Sequence, residues 1–316
     1  MNAPAAAAAA PSRRRPRRSF ARHGFELALF RLGAGTLALL PKRASRTLGR
    51  SLGRLYLRLG RARRRILFQN LAAAFPEKTH GQISAIATAS VESIGASFVE
   101  FLEVSGMSEE EIRGRIRVVG EENLRRARSL GHGVFLLSAH IGGWELGAIR
   151  AGMLGEPISP VVRPLDNPLL ERELARRRMR FGNRPIAKRD AARDILKALR
   201  RGGTVAILVD QNVLAREAVF VPFFGRPAAT TPALALFQRK TGAPVVPVFT
   251  WPEGDGRYRL EFETPIEARE VAGEDRDEAV RELTARYMEV TEAAIRKAPE
   301  AWLWMHNRWR TRPEDR

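Results

Sequence analysis

Through the second two thirds of the chain, continuous apolar runs alternate with stretches whose apolar positions recur every three or four residues. The runs at 116–119, 133–139 (VFLLSA between Gly133 and His140), 158–163, 204–209 and 244–249 read as strands covered on both faces. Residues 258–263 (YRLEFE) alternate instead, like a half-buried strand. Helical periodicity runs through 82–105, where Ile83, Ile86, Val91, Ile94, Phe98, Phe101 and Leu102 recur, and through 121–130, 168–181, 190–201, 231–241 and 276–297. Alternating strands and helices predict an α/β fold: a mixed, mostly parallel central sheet flanked by helices. Reactive groups in such sheets collect beyond the carboxyl ends of the strands. His140, Arg163 and Asp210 each follow an expected strand.

The first third has a different pattern. Leu48, Leu52, Leu55 and Leu59 make a helical stripe within 44–65, while Arg46, Arg50, Arg54 and Arg58 recur every four residues on another face. A Leu face beside an Arg face suits a membrane-surface helix; the bland alternative packs the Leu face on the body and leaves the Arg face in water. Residues 24–41 are apolar but carry Glu26 and Arg31, and the uncharged run Leu32–Pro41 is too short to cross a bilayer alone. We expect this segment to dip into a membrane rather than span it. Residues 1–23, an Ala run followed by an Arg/Pro cluster, lack the apolar content to pack and read as a disordered basic tail. Residues 24–110 thus form a helical, membrane-associated portion and 111–316 the α/β core. No linker separates them, so 24–316 is expected to be one unit.

Charge sharpens this division. The 316 residues hold 54 Lys and Arg against 35 Asp and Glu, a net +19. Residues 1–65 hold 17 of the cations and one acid, Glu26, so +16 sits in that fifth and the other 251 residues carry +3. A cationic segment on a nearly neutral body points to an anionic surface, with residues 13–65 as the contact. Cysteine is absent, which removes disulfide scaffolds, Cys-ligated metals and thiol nucleophiles. The five histidines are too scattered for a local metal motif, so no metal and no redox cofactor is expected.

The sharpest local feature is Ser138-Ala139-His140-Ile141-Gly142-Gly143-Trp144-Glu145: a strand, a glycine turn, then a helix start. On an ideal helix His140 and Glu145 lie about 140° apart. With His140 in the turn, Glu145 in the first helical turn can fold back to the ring and favour its cation, which gives a His general base. The alternative is a backbone-bonded His with a solvated Glu145. Arg163 at a strand end suits an anion, and Asp166-Asn167-Pro168 reads either as a substrate-binding turn or as a helix cap. Arg180 precedes a Gly182 helix stop, and Asp210-Gln211-Asn212 follows a strand. Phe223 and Phe224, with Trp144, line an apolar channel or pack under loops. The C-terminal run Trp302 to Arg310 can stack on bases, sit in a membrane interface or cap the core. There is no G-x-S-x-G elbow and no P-loop.

Together, RRRILFQNLAAAFP (63–76), HIGGWE, VVRPLDNPLL, the DQN and VFVPFFG…ATT block, GAPVVPVF and PEAWLWMHNRWRTRPE resemble, in order over about 24–313, the lipid A biosynthesis (lauroyl/myristoyl) acyltransferases, within the H-x4-D/E glycerolipid acyltransferases. The resemblance implies a glycerol-3-phosphate-acyltransferase-like fold at the cytoplasmic face of the inner membrane. It also implies acyl transfer from an acyl carrier protein thioester, or coenzyme A, to a hydroxyl of a lipid A precursor or another glycolipid or lysolipid. His140 would be the base and Glu145 its partner; Arg163, Asp166, Asn167, Arg180, Asp210 and Gln211 would contact substrate. The neutral body offers an acidic carrier protein no dock beyond the N-terminal segment. The rival class, nucleic-acid binding, would need basic residues around a working cleft.

Overall fold

A computed structural model describes residues 20–189, 191–267 and 275–315. The N-terminal portion is four helices: α1 (Phe20–Leu39), α2 (Lys42–Leu59), α3 (Arg61–Ala74) and α4 (His80–Glu103). Then come α5 (Glu109–Arg115), β1 (Ile116–Val119), α6 (Glu121–Ser129), β2 (Val134–Ser138), α7 (Trp144–Gly152), β3 (Ile158–Val162) and α8 (Pro168–Met179). The chain continues through β4 (Ile186–Ala187), α9 (Ala191–Arg200), β5 (Thr204–Leu208), β6 (Val219–Phe223), β7 (Arg226–Thr230), α10 (Ala233–Thr241), β8 (Val245–Pro252), β9 (Tyr258–Phe262) and α11 (Arg276–Lys297). The expected strands and helices are all present. The β6–β7 hairpin is additional, because Phe223-Phe224-Gly225 turns tightly enough to pair its flanks.

Seven strands form the central sheet in the order β1-β9-β8-β2-β5-β3-β4. Its pairs are parallel except β8 with β9. Alternation along β2 divides the core: Phe135 and Leu137 face α9, α10 and α11, while Val134 and Leu136 face α6 and α7. Polar side chains start several helices. Thr79 and Gln82 make a reciprocal cap on α4, and Asn167 caps α8 ahead of Pro168.

The N-terminal helices depart from expectation in three ways. The helix expected over 44–65 breaks at Gly60 into α2 and α3. The first helix starts at Phe20, inside the stretch read as tail; residues 1–19, with most of that tail and the start of the basic contact, lie outside the described residues. Finally, α2 turns its glycines inward. A Cβ on Gly49 would lie 2.6 Å from the Gly95 carbonyl oxygen, and one on Gly53 2.1 Å from that of Val91, so α2 and α4 touch backbone to backbone. Leu48, Leu52, Leu55 and Leu59 therefore stay exposed, joined by Phe20, Phe25, Leu29, Leu32 and Leu39 of α1. Among the described residues, one helix, over His80–Gly106, is long and apolar enough to cross a bilayer; half of it is buried in the body.

One buried polar cluster fixes these helices to the sheet. Arg46 Nε donates to Glu100 (2.8 Å), whose other oxygen accepts from the Tyr258 hydroxyl. Ser97 Oγ lies 3.2 Å from that hydroxyl. Burial and the Glu100 charge push the Tyr258 phenol well above its ordinary pKa, so it stays a donor.

Candidate active site

Sheet register builds the site. Ser138 of β2 lies opposite Leu208 of β5 in parallel pairing. Two residues beyond each, His140 and Asp210 therefore emerge side by side at the carboxyl edge. Asp210 is buried and accepts three hydrogen bonds: from the His140 backbone N–H (2.9 Å), from His140 Nδ1 (2.9 Å) and from the Trp302 indole N–H (2.8 Å). Burial opposes charge on both partners, and their mutual attraction overrides it. The Asp210 carboxyl is held well below the carboxylate range, and the imidazole is raised above its ordinary 6.5, with a smaller contribution from the Glu145 charge. With Nδ1–H committed to Asp210, Nε2 is the free lone pair, and the Gln211 side-chain amide sits 3.1 Å from it. The ring stands edge-on to Trp144.

The turn after His140 admits only glycine. Gly142 has φ +53°, and a Cβ there would lie 2.2 Å from the Thr250 carbonyl oxygen; one on Gly143 would lie 2.8 Å from the Tyr258 ring. Ile141 bridges to Trp302, and Gly142 N–H donates to Ala301 O (2.9 Å). The C-terminal strap is thus a wall of the site. It is held by Ser90 on Trp302 O (2.8 Å) and Asn70 on Trp304 O (2.9 Å) and His306 O (2.8 Å). Asn212 N–H donates to His306 Nε2 (2.9 Å), and burial lowers that imidazole to about 4.

Several expectations need correction. Glu145 does not reach the His140 ring. It accepts a bidentate pair from Arg178 (2.6 and 3.0 Å), because the first turn of α7 points its carboxylate at α8. Asp210 is not open to substrate, since its oxygens serve His140 and Trp302. Asn167 caps α8 and donates to His23 O and Glu26, so it too is structural. Arg180 donates to Val104 O (3.0 Å) at the end of α8. Phe223 and Phe224 are buried against Trp302, Trp304 and Phe75 and line neither cavity at the site. Trp302 and Trp304 are fully buried and unavailable to bases. Arg178, which neighbouring arginines disguise in the sequence, is a member of the site that sequence reasoning missed.

A cavity of about 350 Å³ opens at His140 and runs between α7 and the sheet, past Ala148, Ala151, Leu136, Ala206 and Leu260. Arg163 and Lys188 stand at its rim; pairing of Val162 with Ala187 makes them neighbours. Arg163 is 77% exposed and only 3.8 Å from exposed Asp166. Residues 163–201 contain 13 Lys and Arg and five Asp and Glu. The nearly neutral body thus carries a locally basic stretch, of which Arg163, Arg178 and Lys188 line this cavity. The arrangement is an imidazole, held through Nδ1 by a buried carboxylate, at the mouth of a cavity with a polar entrance and an apolar inner end between α7 and the sheet. Among the described residues, no cluster has the makings of a metal site.

Residues 22–311 match the family described as bacterial lipid A biosynthesis acyltransferase. The chain is 34% identical over 289 residues to the lipid A biosynthesis lauroyltransferase of Escherichia coli (strain K12), covering 90% of this chain and 92% of that one. It is 31% identical over 287 residues to the lipid A biosynthesis palmitoleoyltransferase of the same organism (89% and 90%), and 27% identical over 280 residues to its lipid A biosynthesis myristoyltransferase (87% and 84%).

Proposed function

Since the chain belongs to the bacterial lipid A biosynthesis acyltransferases, and is an acyltransferase, we propose that it moves a fatty acyl chain from an acyl carrier protein thioester to a hydroxyl of a lipid A precursor, with His140 as general base. The observation that carries this reading is the Asp210–His140 pair at the mouth of the apolar tunnel. The acceptor hydroxyl displaces Gln211 from Nε2 and gives its proton to the imidazole as its oxygen attacks the thioester carbonyl. Asp210 orients the ring and stabilises the imidazolium without taking the proton. The tetrahedral intermediate collapses with C–S cleavage, and the departing thiolate takes the proton from Nε2. An ester and a free thiol result, and the base is restored.

The tunnel's apolar wall suits the transferred chain. The basic rim of Arg163 and Lys188 suits an acidic carrier protein better than the neutral whole-body charge suggested. Activity at the membrane follows from the family. The exposed apolar side chains of α1 and α2, among arginines, support a peripheral position on the cytoplasmic face of the inner membrane. The test is transfer of labelled acyl groups from the carrier protein to an extracted lipid A precursor, read by mass spectrometry. His140→Ala is expected to abolish transfer in a protein that still folds, with a lowered melting temperature because buried Asp210 loses its partner, and a fully active His140→Ala protein would sink the mechanism. Transfer to a lysophospholipid and not to the glycolipid would reassign the acceptor.

A further inference from the structure

A second cavity lies beside the first and opens elsewhere. It is a groove of about 500 Å³ along α2 and α4, almost wholly apolar, lined by Leu52, Tyr56, Ile94, Phe98 and Phe101 and closed at its inner end by Trp144. The contact between α2 and α4 creates it: where Gly53 and Gly95 bring the backbones together, no side chain fills the space alongside. Trp144, Glu145 and Arg178 belong to both cavities, so the groove and the tunnel meet at one wall next to His140.

Resting on the acyl-transfer reading, we propose that this groove binds a hydrocarbon chain already carried by the acceptor lipid, while the inner tunnel holds the chain being transferred. Direct attack of the acceptor hydroxyl on the thioester requires donor and acceptor to be present at His140 at once, and the two openings differ in chemistry. The tunnel's mouth is rimmed with cations and suits a charged, water-borne donor. The groove opens on the face where Leu48, Leu52, Leu55, Leu59 and Phe98 are exposed, so a chain can slide from a bilayer into it without crossing water. The Arg178–Glu145 pair at the junction keeps the inner end of the groove polar, which favours the acceptor's headgroup there rather than chain.

The test uses a phosphorylated glucosamine lipid with one amide-linked chain bearing a diazirine, in liposomes with the full-length protein; it needs no turnover. Saturable cross-linking to residues 91–101 and 52–56 is expected. Ile94→Trp, which fills the groove, should cut that labelling and raise the KM for an acylated acceptor at least tenfold, leaving the donor KM and liposome flotation unchanged. Ile94→Gln, a change of similar size that makes the groove wall polar, should do the same if Ile94→Trp proves unstable. Labelling of tunnel peptides around Leu136 and Ala206 instead, labelling that does not saturate, or loss of flotation in step with labelling would each overturn the proposal. Groove labelling in a protein that transfers no acyl group to any glycolipid would leave the lipid site standing and bring down the acyl-transfer reading.

Discussion

Replacing Asp210 by Asn keeps the side chain's volume but removes its charge and one acceptor. The buried carboxylate faces three donors, two of them (the His140 backbone N–H and the Trp302 indole) on one oxygen. An amide in that place can set its oxygen against that pair or against Nδ1–H, not both. Leaving a buried donor unsatisfied costs about 1–3 kcal/mol, so the orientation that serves two donors wins over the one that serves one. The amide N–H₂ then points at Nδ1, which must become the acceptor, and the proton moves to Nε2. The neutral ring is thus held in the tautomer that cannot take a proton from a hydroxyl. A preference of about 1–3 kcal/mol leaves roughly 1–15% in the productive form. Loss of imidazolium stabilisation adds to this, so a fall in kcat of about 10²–10⁴-fold is expected. The pH profile carries an independent sign. Asp210 raises the His140 pKa, so the wild-type acid limb lies above 6.5, and removing the charge moves that limb to lower pH. The raised imidazole also contributes stability that is complete below 6.5 and lost as pH rises through its folded pKa; Asp210→Asn removes that contribution. The assay is kcat against pH with labelled thioester, with nitrogen chemical shifts of the ring reporting the tautomer. Wild-type kcat with an unmoved acid limb, or an Nδ1–H tautomer in the variant, would refute the reasoning.

Gly142→Ala puts a methyl group within 2.2 Å of the Thr250 carbonyl oxygen at φ +53°, so a loss of at least about 2 kcal/mol by denaturant titration and strongly reduced transfer are expected. Glu145→Ala and Arg178→Ala should each reduce kcat, with the double variant no worse than either single one; additive losses would mean that Glu145 acts without Arg178. Lys188→Glu with Arg189→Glu should raise the KM for a carrier-linked donor about tenfold at low salt and leave the KM for a short pantetheine thioester unchanged, with the difference shrinking at high ionic strength.

How far the sequence reveals this protein depends on the range of the interaction. The sheet was legible because its strands are apolar on both faces, and covering both faces leaves a local trace in runs such as VFLLSA. The partner of His140 was not. Glu145 is five residues away and was the natural choice, while Asp210 is 70 residues away and meets the ring only through the parallel register of β2 and β5. Helix α2 was half legible. Its amphipathic pattern was plain, but the pattern alone does not say which face turns inward. The Gly49-x3-Gly53 spacing, which lets the backbone touch α4, was the available signal, and it outranks the Leu stripe.

Asp210-Gln211-Asn212 shows why a short motif at such a distance matters. The three successive residues separate three tasks. Asp210 fixes the imidazole from behind, Gln211 occupies the lone pair in front, and Asn212 bonds the strap through His306 and Thr311. That strap in turn supplies Trp302 to Asp210 and Ala301 to the Gly142 turn. His140 is therefore held by a closed ring of contacts from β2, β5 and the C-terminus, and the buried strap is braced by α3 and α4.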